Sequence, residues 1–257
     1  FKTSKAAVEI MLQMDRSESD TAQRDELAFF DGKHGRVNGF KSLGMWTLHH
    51  GLGKIVCLAT MEARSEDTKN CVTFFQLVNK ALQKFTGIPD YKFNPKAIMS
   101  DSAGSIENAV RIVFGHEFVD RRRFCTCQWH FNNNAEQRAR NIQDPQQAAD
   151  FLFACKNAVE SKTIPVFNRW WRLIEGIAET SPNVKYFVNW WYARRSLVMT
   201  CFRGDGFPRM NLAEAANSAW FGDNLSLVKA VGCDVAAALL QSNQLKAFYE
   251  GTAQRMG

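Results

Sequence analysis

The stretch from Leu27 to Met61, LAFFDGKHGRVNGFKSLGMWTLHHGLGKIVCLATM, decides the fold. Its first segment, Leu27–Asp31 (LAFFD), is a short apolar run closed by a carboxylate, the pattern of a buried strand ending in an acid. Ser42–His50 (SLGMWTLHH) and Lys54–Met61 (KIVCLATM) follow as two further strand-like runs. Gly39, Gly51 and Gly53 occupy the breaks between them, where hairpin connections need flexible backbone. Three strands in such quick succession predict an antiparallel meander.

Working outward, Asp67–Phe85 carries Val72, Phe75, Leu77, Val78, Ala81, Leu82 and Phe85 at near-helical spacing, and Gly87 and Pro89 stop it. Ala97–Asp101 (AIMSD) reads as a short strand that again ends in an acid. Ser102–Phe114 reads as a helix with Ile106, Ala109, Val110 and Val113 on one face, and Arg123–Gln128 (RFCTCQ) as a last strand. Three strands, helix, strand, helix, strand predicts an α/β fold with a mixed five-stranded sheet flanked by helices. Residues 1–26 are expected to be a helical lead-in, 27–142 the α/β core, 143–205 a helical insertion and 206–257 a closing helical region. The insertion holds the pairs Trp170–Trp171 and Trp190–Trp191, read chiefly as core of a helical layer and alternatively as platforms for a splayed base.

With 257 residues, 46% of them hydrophobic, the chain can bury a core, which excludes disorder and small disulfide scaffolds. A formal charge of +6 favours a polyanionic partner, either nucleic acid or an anionic surface. Seven scattered cysteines suit a reducing compartment, and no apolar run approaches the roughly 20 residues that span a bilayer, so no membrane partner is expected. The first residue is Phe1, as expected of a piece of a longer protein.

Asp31 and Asp101 each close a strand. If those strands are parallel neighbours, both carboxylates emerge at one sheet edge, where α/β sheets place their sites. Two carboxylates there repel unless a cation lies between them, and Mg²⁺ favours such oxygen donors. Each also has a structural reading: Asp101 can cap the helix beginning at Ser102, and Asp31-Gly32 can be a turn.

Taken in order, Asp31-Gly32, Asp101, Cys127-Gln-Trp-His130 and Glu214-Ala-Ala-Asn217 resemble the motif series of the Mutator-like DNA transposases, with FFDGKHGRVNGF, IMSDSAGSIENAVRIVFG and CQWHFNNN around them. The resemblance runs from about Leu27 to Trp220. It implies a ribonuclease-H-like fold with an all-α insertion before the closing helix. It also implies two Mg²⁺ or Mn²⁺ ions held by Asp31, Asp101 and Glu214 as the catalytic acids. The implied activity is cleavage of transposon ends and joining of the 3′-hydroxyl to target DNA, by a homo-oligomer on DNA in the nucleus. A domesticated, inactive relative that binds DNA and regulates transcription is the alternative. Glu214 also fits a capping box with Asn211, in which case Glu160, Glu175 or Glu179 would substitute for it. Lys33 stands where the family often has Thr, with His34 next, and either supports a phosphate or marks a site that has lost activity.

Cys125, Cys127 and His130 lack the second ligand pair of a structural zinc site, so a zinc finger is rejected. Cys127 is expected to pack, while His130 either supports the active site or is a core histidine. Among the basic residues, Arg123, Arg138 and Arg209 are the chief candidates for contact with the DNA backbone.

Overall fold

The computed structural model describes residues 1–17, 25–37, 39–101, 103–203, 207 and 212, with backbone alone at 33–37. It divides into two compact units, Phe1–Phe124 with Leu212–Gly257, and Cys125–Asn211.

The α/β unit opens with α1 (Lys5–Gln13), capped by Ser4, whose side chain accepts from the Ala7 N–H. The meander is β1 (Ala28–Val37), β2 (Phe40–His49) and β3 (Lys54–Ala63). Then come α2 (Thr68–Thr86), β4 (Ile98–Ser100), α3 (Gly104–Phe114), α4 (His116–Asp120) and β5 (Phe124–Thr126). The sheet order is β3-β2-β1-β4-β5. β1 pairs antiparallel with β2, β2 antiparallel with β3, and β1 parallel with β4. The expected mixed five-stranded sheet is therefore present.

Strand β1 is longer than expected. It continues six residues past Asp31, pairing Gly32 with Leu43 and Lys33 with Ser42 before an irregularity, then Val37 with Phe40. Asp-Gly here is strand, not turn. The reversal falls instead at Gly39, whose φ of +78° suits only a residue without a Cβ.

Helix α2 is set by its ends. Asp67 caps it by accepting from the Asn70 N–H at 2.8 Å, and Gly87 ends it in the left-handed region at φ +74°. Its buried stripe is Cys71, Phe74, Phe75, Val78, Asn79 and Leu82. Phe74 and Phe75 meet Phe30 of β1 at 5.0 and 4.9 Å between ring centroids, and Phe75 meets Phe114 of α3 at 5.3 Å. Of the expected stripe, Phe75, Val78 and Leu82 are buried, Val72, Leu77 and Ala81 are half-buried, and Phe85 points to solvent.

The lead-in is part of this core. Ala7, Val8, Ile10 and Met11 are buried. Lys2 forms a bridge with Thr60, exchanging backbone hydrogen bonds of 2.7 and 2.9 Å along the outer edge of β3. Thr3 Oγ1 adds a bond to the Leu58 carbonyl at 2.7 Å.

The second unit is helical: α5 (Gln128–Ala139), α6 (Pro145–Glu160), α7 (Ile164–Thr180), α8 (Pro182–Ala193), α9 (Arg195–Val198) and α10 (Thr200–Arg203). Proline opens α6, α7 and α8 within the first turn, where its missing N–H costs nothing. Phe131, Phe151, Phe167, Trp171, Phe187 and Trp191 fill its core. Helix α5 packs in this unit, against α6 and α8. Among the described residues no helix is long and apolar enough to cross a membrane.

Candidate functional site

Register places the two aspartates. The parallel pairs Ala28–Ile98 and Phe29–Met99 share an offset of 98 − 28 = 70 residues, and 101 − 31 is also 70. Asp31 and Asp101 keep that offset two residues beyond the last paired residues, so both acids lie toward the same end of two adjacent parallel strands. Asp101 follows the last residue of β4, whereas Asp31 lies within β1.

Each carboxylate accepts a local bond from the backbone. Asp31 Oδ1 accepts from the Gly32 N–H at 2.9 Å, and Asp101 Oδ1 accepts from the Ala103 N–H at 3.0 Å. The latter is a tight turn before α3, not a helix cap, because the N-cap of α3 is Ala103 and makes no side-chain bond. Asp101 therefore keeps its second oxygen out of any hydrogen bond among the described residues.

A third acid, missed in the sequence, lies nearby. Glu66, in the loop between β3 and α2, rests its carboxyl against the backbone of Gly32. A Cβ built on Gly32 would meet Glu66 Oε2 at 2.5 Å and its carboxyl carbon at 2.6 Å. Gly32 alternates with Asp31 and shares its side of the sheet with Phe30, on which α2 packs. Glu66 thus approaches β1 from the α2 side. Burial pushes its carboxyl up to about 7, the negative charge of Asp101 adds to that, and Lys41 opposes it. Burial and the charges of Glu66, Asp67 and Asp101 likewise push the Cys71 thiol up to about 12, so it stays protonated and inert. Only the strained neighbourhood of Gly32 could have hinted at Glu66 beforehand, because acids are ordinary in polar loops.

The other expected residues fall out as follows. Glu214 and Arg209 lie outside the described residues, as do the side chains of Lys33 and His34. Lys33 does lie in strand, opposite Ser42. Arg123 is engaged within the fold: Nε donates to the Lys96 carbonyl at 3.2 Å, Nη2 donates to Asn94 Oδ1 at 2.6 Å and to the Pro95 carbonyl, and the guanidinium covers the Phe118 ring at 4.4 Å. Burial lowers its pKa, with the charge of Arg16 adding to this. Cys127 is buried at the start of α5, as expected of a packing residue. His130 is half-buried on α5, edge-on to Trp129 at 5.1 Å. Arg138 lies over the Tyr186 ring at 5.7 Å. Glu160, Glu175 and Glu179 are exposed on α6 and α7 of the helical unit.

Among the described residues no group of three or more His, Cys, Asp or Glu is arranged to hold a metal ion. What the α/β unit supplies is two aspartates toward the same end of adjacent parallel strands, with Glu66 close enough to feel Asp101. The chain matches no protein-family model, and no curated protein is significantly similar to it in sequence.

Proposed function

We propose that the protein is a metal-dependent nucleic-acid-processing enzyme of ribonuclease-H-like fold, a DNA transposase core that cuts strands and transfers the 3′-hydroxyl. One observation carries this: β1 and β4 are adjacent parallel strands, and Asp31 and Asp101 follow their last paired residues by the same two positions. Sheet order β3-β2-β1-β4-β5 with an antiparallel second strand supports the fold, and the run of helices α5 to α10 supports a helical insertion after β5.

The residues present suit a hard divalent cation. The donors are carboxylate oxygens, and the charge of Asp101 adds to burial in holding the Glu66 proton on to about 7. Asp31 and Asp101 would hold Mg²⁺ or Mn²⁺, with Glu214 as the third ligand that the resemblance implies. When bound, two such ions stabilise the entering and leaving oxygens of an in-line displacement at phosphorus. Asp31, fixed within a paired strand, supplies a rigid ligand. Asp101, at the end of β4, supplies one held by a single turn bond. Glu66, which burial lets hold its proton up to about 7, can release it when positive charge arrives.

Nicking of a supercoiled plasmid tests the reading. Conversion to open circle is expected in Mg²⁺ or Mn²⁺ and not in EDTA. Asp31→Asn and Asp101→Asn should each lower the rate at least about a hundredfold, the scale on which single catalytic groups act. Undiminished nicking by Asp101→Asn would remove this reading. DNA binding without nicking in any cation would favour the domesticated regulator instead.

A further inference from the structure

Helices α6 and α7 leave an apolar seam on their outer side. They form a hairpin about the turn at 161–163, and Gln147 Nε2 of α6 donates to Thr180 Oγ1 of α7 at 3.0 Å, tying the far ends. Phe167, Trp171, Ile174 and Ala178 form the buried side of α7. Val166, Trp170 and Leu173, at steps of four and three residues, share another side. Phe153 of α6 meets the Trp170 ring edge-on at 5.4 Å, so the seam runs from one helix to the other. Phe153, Val166 and Leu173 are 59%, 46% and 43% exposed. Scattered apolar residues on a surface are ordinary, whereas a contiguous row of them marks a face that a partner covers.

Charge indicates which partner. The exposed charges of the hairpin are sorted along its length. Lys156, Lys162 and Arg169 lie toward the turn, with Arg172 at the middle of α7. Asp144, Asp150, Glu175 and Glu179 lie toward the open end, and Glu160 breaks the order. A polyanion or an anionic surface would be repelled by the acidic half. A second hairpin turned end for end sets its bases on those acids and its acids on those bases, and a two-fold axis repeats both contacts. Parallel stacking would set like charge on like. Size agrees as well. Helix α6, of 16 residues, is about 24 Å long, and two helices side by side are about 20 Å wide. Two such faces together cover about 1,000 Å², the least that specific association needs.

We propose that the outer face of the α6–α7 hairpin, through Phe153, Val166, Trp170 and Leu173, pairs with the same face of a second copy of this chain, the two hairpins antiparallel. The pairing uses neither the aspartates nor a metal ion.

Sedimentation velocity of the full chain in EDTA, in a concentration series reaching about 100 µM, tests the pairing in the range where a contact of this size associates. The mass is expected to double as concentration rises. Phe153→Asp and Leu173→Asp should each raise the dimer's dissociation constant at least about tenfold, because each buries an unpaired charge at the seam. Both side chains face water in the single chain, so the fold survives, which circular dichroism verifies. Arg169→Glu with Arg172→Glu makes α7 acidic throughout, and Glu175→Lys with Glu179→Lys makes it basic throughout. Each double variant should self-associate more weakly than the parent, and the two mixed in equal amounts should pair again. A parent chain that stays monomeric throughout would overturn the proposal. So would a dimer that Phe153→Asp and Leu173→Asp leave as tight as before, or a mixture that fails to pair. Asp101→Asn should dimerise as the parent does. A parent that dimerises without nicking removes the proposed function alone, and one that nicks as a monomer removes the pairing alone.

Discussion

Glu66 ties a pH response to a single glycine. Unfolded, its carboxyl releases its proton near the ordinary glutamate value of 4.5; folded, it keeps it until about 7. Between these values the folded state binds more protons, so raising the pH favours unfolding. Stability should therefore be full below about 4.5 and fall as the pH rises to about 7. The loss should come to about 1–2 kcal/mol once solvent screening of this partly exposed group is allowed for. Urea titrations in chelator at the two ends of that range check it, and Glu66→Gln should flatten the curve. Gly32→Ala should force the Glu66 carboxyl aside and cost about 1 kcal/mol. This glycine explains a misreading. Asp31-Gly32 has the composition of a turn, but Gly32 is not among the residues with positive φ. It serves to admit a carboxyl from a distant loop, and a demand of that kind leaves no local pattern.

At the scale of elements, periodicity was legible and the limits of the buried face were not. The length of α2 was readable to within a residue, because Asp67 and Gly87 carry unambiguous cap chemistry. Asp67→Ala should cost about 1 kcal/mol, seen as a lower urea midpoint at unchanged slope. The centre of the buried stripe, Phe75, Val78 and Leu82, was as expected, and its flanks differ because the apolar residues exceed what one face can hold. The tryptophan pairs show the same geometry. Neighbours on a helix point about 100° apart, so one of each pair faces in and the other out. Trp171 and Trp191 are 2% and 1% exposed, while Trp170 and Trp190 lie at the margin. Trp171→Ala or Trp191→Ala should cost about 3–5 kcal/mol, whereas Tyr186→Ala should stay within about 0.5 kcal/mol. Thermal melts of the three variants separate these classes.

At the scale of the molecule, the succession of strands and helices was readable from the sequence, and the order of strands within the sheet was not. The pairing of β1 beside β4 was a conjecture until the register supplied it. The extent of the helical unit was less legible, since α5 follows the last strand without a break in composition but packs with the helices after it.

The bridge between Lys2 and Thr60 has a consequence for how copies of the molecule behave toward one another. Strand β3 is the outermost of the sheet, and an unprotected outer strand offers its amides and carbonyls to any other chain. Lys2 and Thr3 form a short hem along that border. Unpicking it by deleting the first four residues should leave a sticky ribbon, and such a protein is expected to elute as self-associated species at concentrations where the parent chain does not.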